Sequence, residues 1–252
     1  MGRFHVATIT PTKEALIADW LPRQEWGPSA DADLTFIGSY RFDDPDGDVG
    51  METFLVESGE TIYQVPLTYR DTPLASGPGL ITTVEHSALG TRWVYDGLRD
   101  ERYVTMSAAV TMTGQGEALG MALHEGRWFI APTRVRISGG GWDLRRVPVD
   151  AFELQTDGVQ TAVLQNDGFR LRFHRRPLPG AKPPIGLVAT WEGGRSPVVL
   201  AEVNVDHRAR VAFIDDYDEH ARLDQGGEDE RRRPEHAFGE ERGFRATDKC
   251  LD

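Results

Sequence analysis

Two arginines, an aspartate and four aromatic rings fall close together in the first hundred residues: Arg70, Arg92 and Asp96 are interleaved with Tyr63, Tyr69, Trp93 and Tyr95. A guanidinium binds a carboxylate or phosphate through a rigid fork of donors, and an aromatic ring offers a flat apolar face with a polar edge. Set at the end of a sheet, this group fits a surface for a phosphorylated sugar or for a carboxylate on a partner. The competing reading is an Arg–Asp ion pair between neighbouring strands that serves the fold alone.

Other chemistry-bearing residues carry less. His86 lies between Glu85 and Ser87, but a Ser–His pair needs an orienting carboxylate and an oxyanion hole, and residues adjacent in sequence rarely face one another. His86 is therefore expected to serve a turn before Gly90. His5, His124 and His174 follow no zinc-binding spacing. The acidic run 43–48 resembles the start of a calcium loop. Counted from Asp44, however, the sixth position is Val49 where glycine is required, and the twelfth is Leu55 where a bidentate Glu is required. Gly114, Gly116 and Gly120 miss the dinucleotide fingerprint by one position, and no strand–helix–strand unit surrounds them. The sequence gives no catalytic, metal or cofactor residues.

These residues must be placed by β-structure. Residues 51–58 alternate in side-chain type, Ser58-Gly59 offers a tight turn, and 61–69 alternate again, which predicts an antiparallel hairpin. A Gly/Pro loop follows, then a crossing segment over 80–86 and a further strand over 91–95. Upstream, residues 4–9 and 34–42 read as strands. Thr10-Pro11 reads as a helix start before the stripe Leu16, Ile17, Trp20 and Leu21; Trp20 and Trp26 fit either the core or a stacking platform. Downstream, 103–113 reads as strand, and 114–126 as a loop or a short helix around 117–124. Residues 127–205 read as short strands over 128–137, 152–156, 161–164, 169–174, 185–191 and 198–205. Asp157-Gly158 and Asn166-Asp167-Gly168 are hairpin turns, and 177–184, rich in proline, is a surface loop.

The chain has 252 residues, 28 Lys plus Arg against 40 Asp plus Glu, and a formal net charge of -12. That balance disfavours nucleic acid, whose phosphates call for a basic surface. No apolar run is long enough to span a membrane, the N-terminus lacks a secretory signal, and the single cysteine, Cys250, allows no internal disulfide. A cytoplasmic protein is expected. Beyond residue 206 the sequence is crowded with Asp, Glu and Arg, which predicts a disordered tail with one apolar cluster at 211–214.

Four blocks carry a family resemblance: Arg41-Phe42-Asp43-Asp44-Pro45, Val49-Gly50-Met51-Glu52, Tyr63-Gln64-Val65-Pro66-Leu67-Thr68-Tyr69-Arg70, and the run from Glu85 through Trp93 to Asp96. In order and spacing they resemble the N-terminal cap domain of actinobacterial maltokinases, and most closely the small stand-alone proteins built on that cap, which are often labelled α-glucan branching proteins. The resemblance implies a cystatin-like fold, α+β and mainly β, in which a curved antiparallel sheet carries a packed N-terminal helix and is followed by further antiparallel strands. The expected organisation is a cap-like domain over 1–110, a β-rich extension or second β domain over 111–205, and the charged tail over 206–252.

In that family phosphotransfer belongs to lobes that follow the cap. This chain is too short after residue 105 to hold them, and its sequence there is β-rich. Phe213-Ile214-Asp215-Asp216 resembles a metal-binding carboxylate segment, but no catalytic loop precedes it. Glucan branching needs a barrel with paired carboxylates, which a chain without β/α alternation does not build. The resemblance therefore implies a non-catalytic interaction or regulatory protein of trehalose, maltose 1-phosphate and α-glucan metabolism, whose partner is a maltokinase or a trehalose-pathway enzyme. The alternative is a carbohydrate or sugar-phosphate binding module stacking its ligand on Tyr63, Tyr69, Trp93 and Tyr95. No cofactor, nucleic acid or membrane is expected in either case.

Overall fold

A computed structural model describes residues 3–4, 8–75, 77–130, 133–141, 149 and 151–205. All of these lie within one compact unit, Met1–Ile214. The first part of the chain forms β1 (Arg3–Phe4), β2 (Ile9–Thr10), α1 (Lys13–Trp20), β3 (Thr35–Phe42), β4 (Gly50–Ser58), β5 (Thr61–Arg70), β6 (Leu80–His86) and β7 (Gly90–Asp96). Next come α2 (Glu101–Thr113), β8 (Met121–His124), β9 (Arg127–Ile130) and β10 (Val135–Gly139). The last strands are β11 (Glu153–Asp157), β12 (Thr161–Gln165), β13 (Phe169–Pro179), β14 (Gly186–Trp191) and β15 (Val198–Val205).

Two six-stranded antiparallel sheets dominate, in the orders β2-β6-β7-β5-β4-β3 and β10-β14-β15-β13-β12-β11. The fold is α+β and mainly β, with a curved antiparallel sheet, a helix packed on it and further antiparallel strands after it. A small third sheet, β1-β8-β9, contains the parallel pair β1–β8.

The predicted hairpin is β4–β5, in register from Gly50↔Tyr69 to Ser58↔Thr61. Gly59 turns it at φ +60, the positive φ that a tight hairpin needs at its first central residue. β5 is buried over 63–68 on both of its faces. Its odd row (Tyr63, Val65, Leu67) packs with Phe54 and Val56 of β4 and Leu16 and Ile17 of α1. The opposite face of the sheet, through Met51, Leu55, Tyr40 and Phe42, shares one core with α2 and the second sheet. There Phe173, Leu171, Leu200 and Ala201 meet Tyr103 and Ala108 of α2. Each large apolar side chain buried in this way contributes roughly 1.5–3 kcal/mol. Gly97, between β7 and α2, permits the close passage: a Cβ there would lie 2.9 Å from Pro66 Cβ and from Tyr103 Cγ.

Several elements differ from the sequence expectation. Residues 103–113 form α2, not a strand: Asp100 caps the helix by accepting from Arg102 N, and Gly114 ends it in the left-handed conformation. The alternation of Val104, Met106, Ala108, Val110 and Met112 overlaps a wide helical face, and the helix buries Tyr103, Val104, Ser107, Ala108, Val110, Thr111 and Met112. The segment 80–86 is no crossing segment but a full strand, β6, paired with β7. α1 begins two residues later than expected, with Thr12 Oγ1 accepting from Ala15 N at 3.2 Å. The strand expected over 4–9 is two short strands in different sheets, β1 on β8 and β2 on β6. No helix forms over 117–124; β8 lies there. The run 128–137 divides into β9 and β10, also in different sheets, as Pro132 within the run should have signalled. Residues 177–179 complete β13, so the proline-rich loop starts at Gly180. The tail over 206–252, with its cluster at 211–214, lies outside the described residues.

Candidate functional site

β5 and β7 place the candidate residues, and the register Leu67↔Asp96, Thr68↔Tyr95, Tyr69↔Val94, Arg70↔Trp93 divides them between two faces. Tyr69, Arg92 and Asp96 fall on the face that carries α1. Arg70, Trp93 and Tyr95 fall on the other. Tyr63 and Tyr95 are 5% and 1% exposed, so neither ring offers a face for stacking. Tyr63 lies in the core beneath α1, and the Tyr95 hydroxyl accepts from Leu74 N at 2.9 Å. Trp93 is half-buried. Trp26 is also a core residue, meeting Trp20 edge-on at 5.7 Å between ring centroids.

Arg70 and Asp96 are engaged, with partners other than each other. Arg70 donates from Nε and Nη2 to the two carboxylate oxygens of Asp100, each at 2.7 Å. These hydrogen bonds raise the Arg70 pKa above its ordinary value, and the same carboxylate caps α2, so the pair ties β5 to the helix. Asp96 is held by Arg175 of β13, whose Nη1 and Nη2 donate to it at 3.1 and 2.6 Å. Arg175 also donates to Asp157 at 3.0 and 2.9 Å, and its guanidinium lies 4.4 Å from the Trp26 ring. Burial works against the Arg175 charge, but the two carboxylates outweigh it and hold its pKa above the ordinary arginine value. The neighbouring Arg176 donates to the carbonyl oxygens of Trp26 and Gly27 at 2.9 and 3.2 Å. Both arginines thus fasten the second sheet to the first. Nothing local in the sequence marked Arg175, because its partners lie 79 and 18 residues away.

The Glu85–His86–Ser87 cluster disperses. His86 Nδ1 accepts from Ala88 N and Leu89 N, each at 3.2 Å, the expected turn role. Glu85 accepts from Thr91 Oγ1 at 2.8 Å, and Ser87 Oγ accepts from Thr8 N at 3.0 Å. Asp44 holds the acidic turn by accepting from Asp48 N and Val49 N at 3.0 and 2.9 Å. Among the described residues no group of three His, Cys, Asp or Glu side chains is placed to hold a metal ion.

What the structure does build is a cleft of about 770 Å³, within the range of small-molecule sites, about 300–1,000 Å³. It opens on the α1-bearing face, beyond the N-terminus of the helix, and it gathers Tyr69 and Arg92 of the candidate set. Its floor is a polar group the sequence reading missed. Lys13, in the first turn of α1, pairs with Glu52 of β4, whose second oxygen accepts from Ser39 Oγ at 2.8 Å. The Lys13 ammonium also lies 5.5 Å from the Tyr69 ring centre and 5.9 Å from that of Phe54. Burial, then the nearby Glu52 charge, keep the Tyr69 phenol well above its usual pKa. Arg41 and the turn 43–48 form one wall, and His86, Leu89 and Arg92 the other. The missed signal was Glu52 itself, a carboxylate in the row of Phe54 and Val56, which otherwise reads as core.

The fold and the cleft define a β-rich layer with a polar groove at the N-terminus of its first helix. Residues 20–100, from the end of α1 to the residue that caps α2, match the family model of the maltokinase N-terminal cap domain. No curated protein matches the chain. No helix among the described residues is long and apolar enough to cross a membrane.

Proposed function

We propose that this is a non-catalytic interaction or regulatory protein working with an enzyme of maltose 1-phosphate, trehalose or α-glucan metabolism, in the cytoplasm. The observation that carries this reading is the cap-domain match over 20–100 joined to the kind of structure that comes after it. Beyond the cap the described chain builds a β-sheet, β10–β15, on the cap's far face, where the family resemblance would call for catalytic lobes. Residues 1–110 are then the cap-like part, 111–205 a β-rich extension packed on it, and 206–252 a charged tail. The test is to mix the purified full chain with a purified maltokinase and monitor both co-elution and phosphotransfer rate. A complex, or a changed rate at constant substrate, supports the reading; separate elution with an unchanged rate from this kinase and from the trehalose-pathway enzymes overturns it.

A second reading is binding of a carbohydrate or sugar phosphate. With Tyr63 and Tyr95 buried, its support moves from a platform of stacked rings to the cleft at Tyr69 and Arg92. A binding screen of sugars and sugar phosphates against the full chain tests it.

A further inference from the structure

The cleft is lined by charges of both signs in unequal number. Six acidic residues line it, Glu14, Asp43, Asp44, Asp48, Glu52 and Asp71. The cations are Lys13, Arg41 and Arg92. The excess is negative even though Glu52 is matched by Lys13 and Asp44 is committed to backbone amides. Between the charges lie apolar surfaces, Ile9, Val84 and Leu89, and the ring of Tyr69.

From this lining we infer that the cleft takes an uncharged, polyhydroxylated small molecule and discriminates against its phosphorylated counterpart. The inference rests on the second reading above and names its ligand class. A phosphate dianion entering the cleft meets more like charges than opposite ones, at distances where partial burial weakens screening. A metal cation finds, among the described residues, no group of three carboxylate or imidazole side chains placed to hold it. A hydroxyl both donates and accepts, so one polyol can satisfy carboxylates through its O–H groups and Arg92 or Lys13 through its lone pairs, while its C–H faces lie on the apolar walls. A neutral ligand also leaves the Lys13–Glu52–Ser39 floor intact, whereas an anion would compete with Glu52 for Lys13.

The experiment is calorimetric titration of the full-length chain with four probes at low ionic strength: maltose, trehalose, glucose 1-phosphate and inorganic phosphate. At least one disaccharide should bind at least about tenfold more tightly than glucose 1-phosphate, the gap narrowing as salt is added. Arg92→Gln should weaken that disaccharide about fivefold, the value of one lost hydrogen bond. Asp71→Asn, which removes a rim carboxylate, should improve glucose 1-phosphate relative to the disaccharide. Arg170→Gln, on the exposed surface of the second sheet, should change neither. Tighter binding of glucose 1-phosphate than of both disaccharides overturns the inference and leaves the ligand-binding reading standing. Binding of none of the probes overturns both. Disaccharide affinity unchanged in both Arg92→Gln and Asp71→Asn places the ligand elsewhere and overturns the assignment of the cleft.

Discussion

The helix-bearing face of the first sheet is two surfaces made by the same strands. Under α1 the rows of β4 and β5 present Phe54, Val56, Tyr63 and Val65 to Leu16 and Ile17. A few residues along the same rows, past the first turn of the helix, they present Glu52 and Tyr69, and β7 adds Arg92. An eight-residue helix is about 12 Å long, too short to cover a six-stranded sheet. Where the cover ends, the row turns polar, because an unpaired apolar row would expose a patch and a polar row can be hydrated or filled. The lesson is that an arginine beside an aromatic ring says little until its layer is known. Arg175 and Arg92 are the same residue type in such surroundings, and one is a fastener while the other faces a cleft.

That contrast can be broken most forcefully at Arg175. Arg175→Ala leaves the buried Asp96 carboxylate without its cation and Asp157 with only the more distant Arg99, and should cost about 3–5 kcal/mol, read from urea unfolding. Arg92→Ala should change stability by less than about 0.5 kcal/mol. Equal effects would erase the distinction between fastener and cleft residue. Tyr63→Ala, beneath α1, should cost about 3 kcal/mol from lost contacts and the cavity left behind. A near-neutral result would mean that Tyr63 is not core and would return it to the ligand surface.

The next effect concerns pH. Burial pushes the Tyr40 phenol up to about 12, against about 10 in the unfolded chain. The folded state then holds a proton that the unfolded state releases, so this contribution is complete below pH 10. It is lost as pH rises toward 12, about 2–3 kcal/mol in all. Burial raises the Tyr103 phenol as well, so urea midpoints between pH 9 and 11.5 should fall in the wild type and fall less in Tyr40→Phe.

The hairpin β4–β5, β3, β7 and β11–β15 were legible because period-two alternation and Gly or Asn-Asp-Gly turns are local signals. α2 was misread because Val104, Met106, Ala108, Val110 and Met112 satisfy both periods. Its caps, Asp100 and Gly114, were the deciding evidence and lay in plain view. The site was half legible. Tyr69 and Arg92 were named, but which face each residue takes depends on strand register, and which face is covered depends on where a helix ends. The reading weighed an Arg–Asp pair between neighbouring strands, whereas Arg70 pairs with Asp100 and Asp96 with Arg175, partners from elements the sequence does not place beside them.

Smaller effects sharpen the same contrast. Lys13→Met at the cleft floor leaves Glu52 with Ser39 alone and should cost about 1–2 kcal/mol, discounted because Lys13 is partly exposed. Its ligand affinity should fall by more than its stability suggests. The exposed i,i+4 pair Arg23–Asp19 should matter least, with Asp19→Ala within about 0.5 kcal/mol in thermal unfolding.

The interaction role is tested most directly by affinity capture from native cell extract, using the tagged full-length chain beside one truncated before Asp206, with mass spectrometry of the retained proteins. Recovery of a maltokinase or a trehalose-pathway enzyme by the full-length chain is the expected result, and its loss on truncation would assign the contact to the tail. Recovery of no enzyme of sugar metabolism above background by either chain would contradict the proposed role.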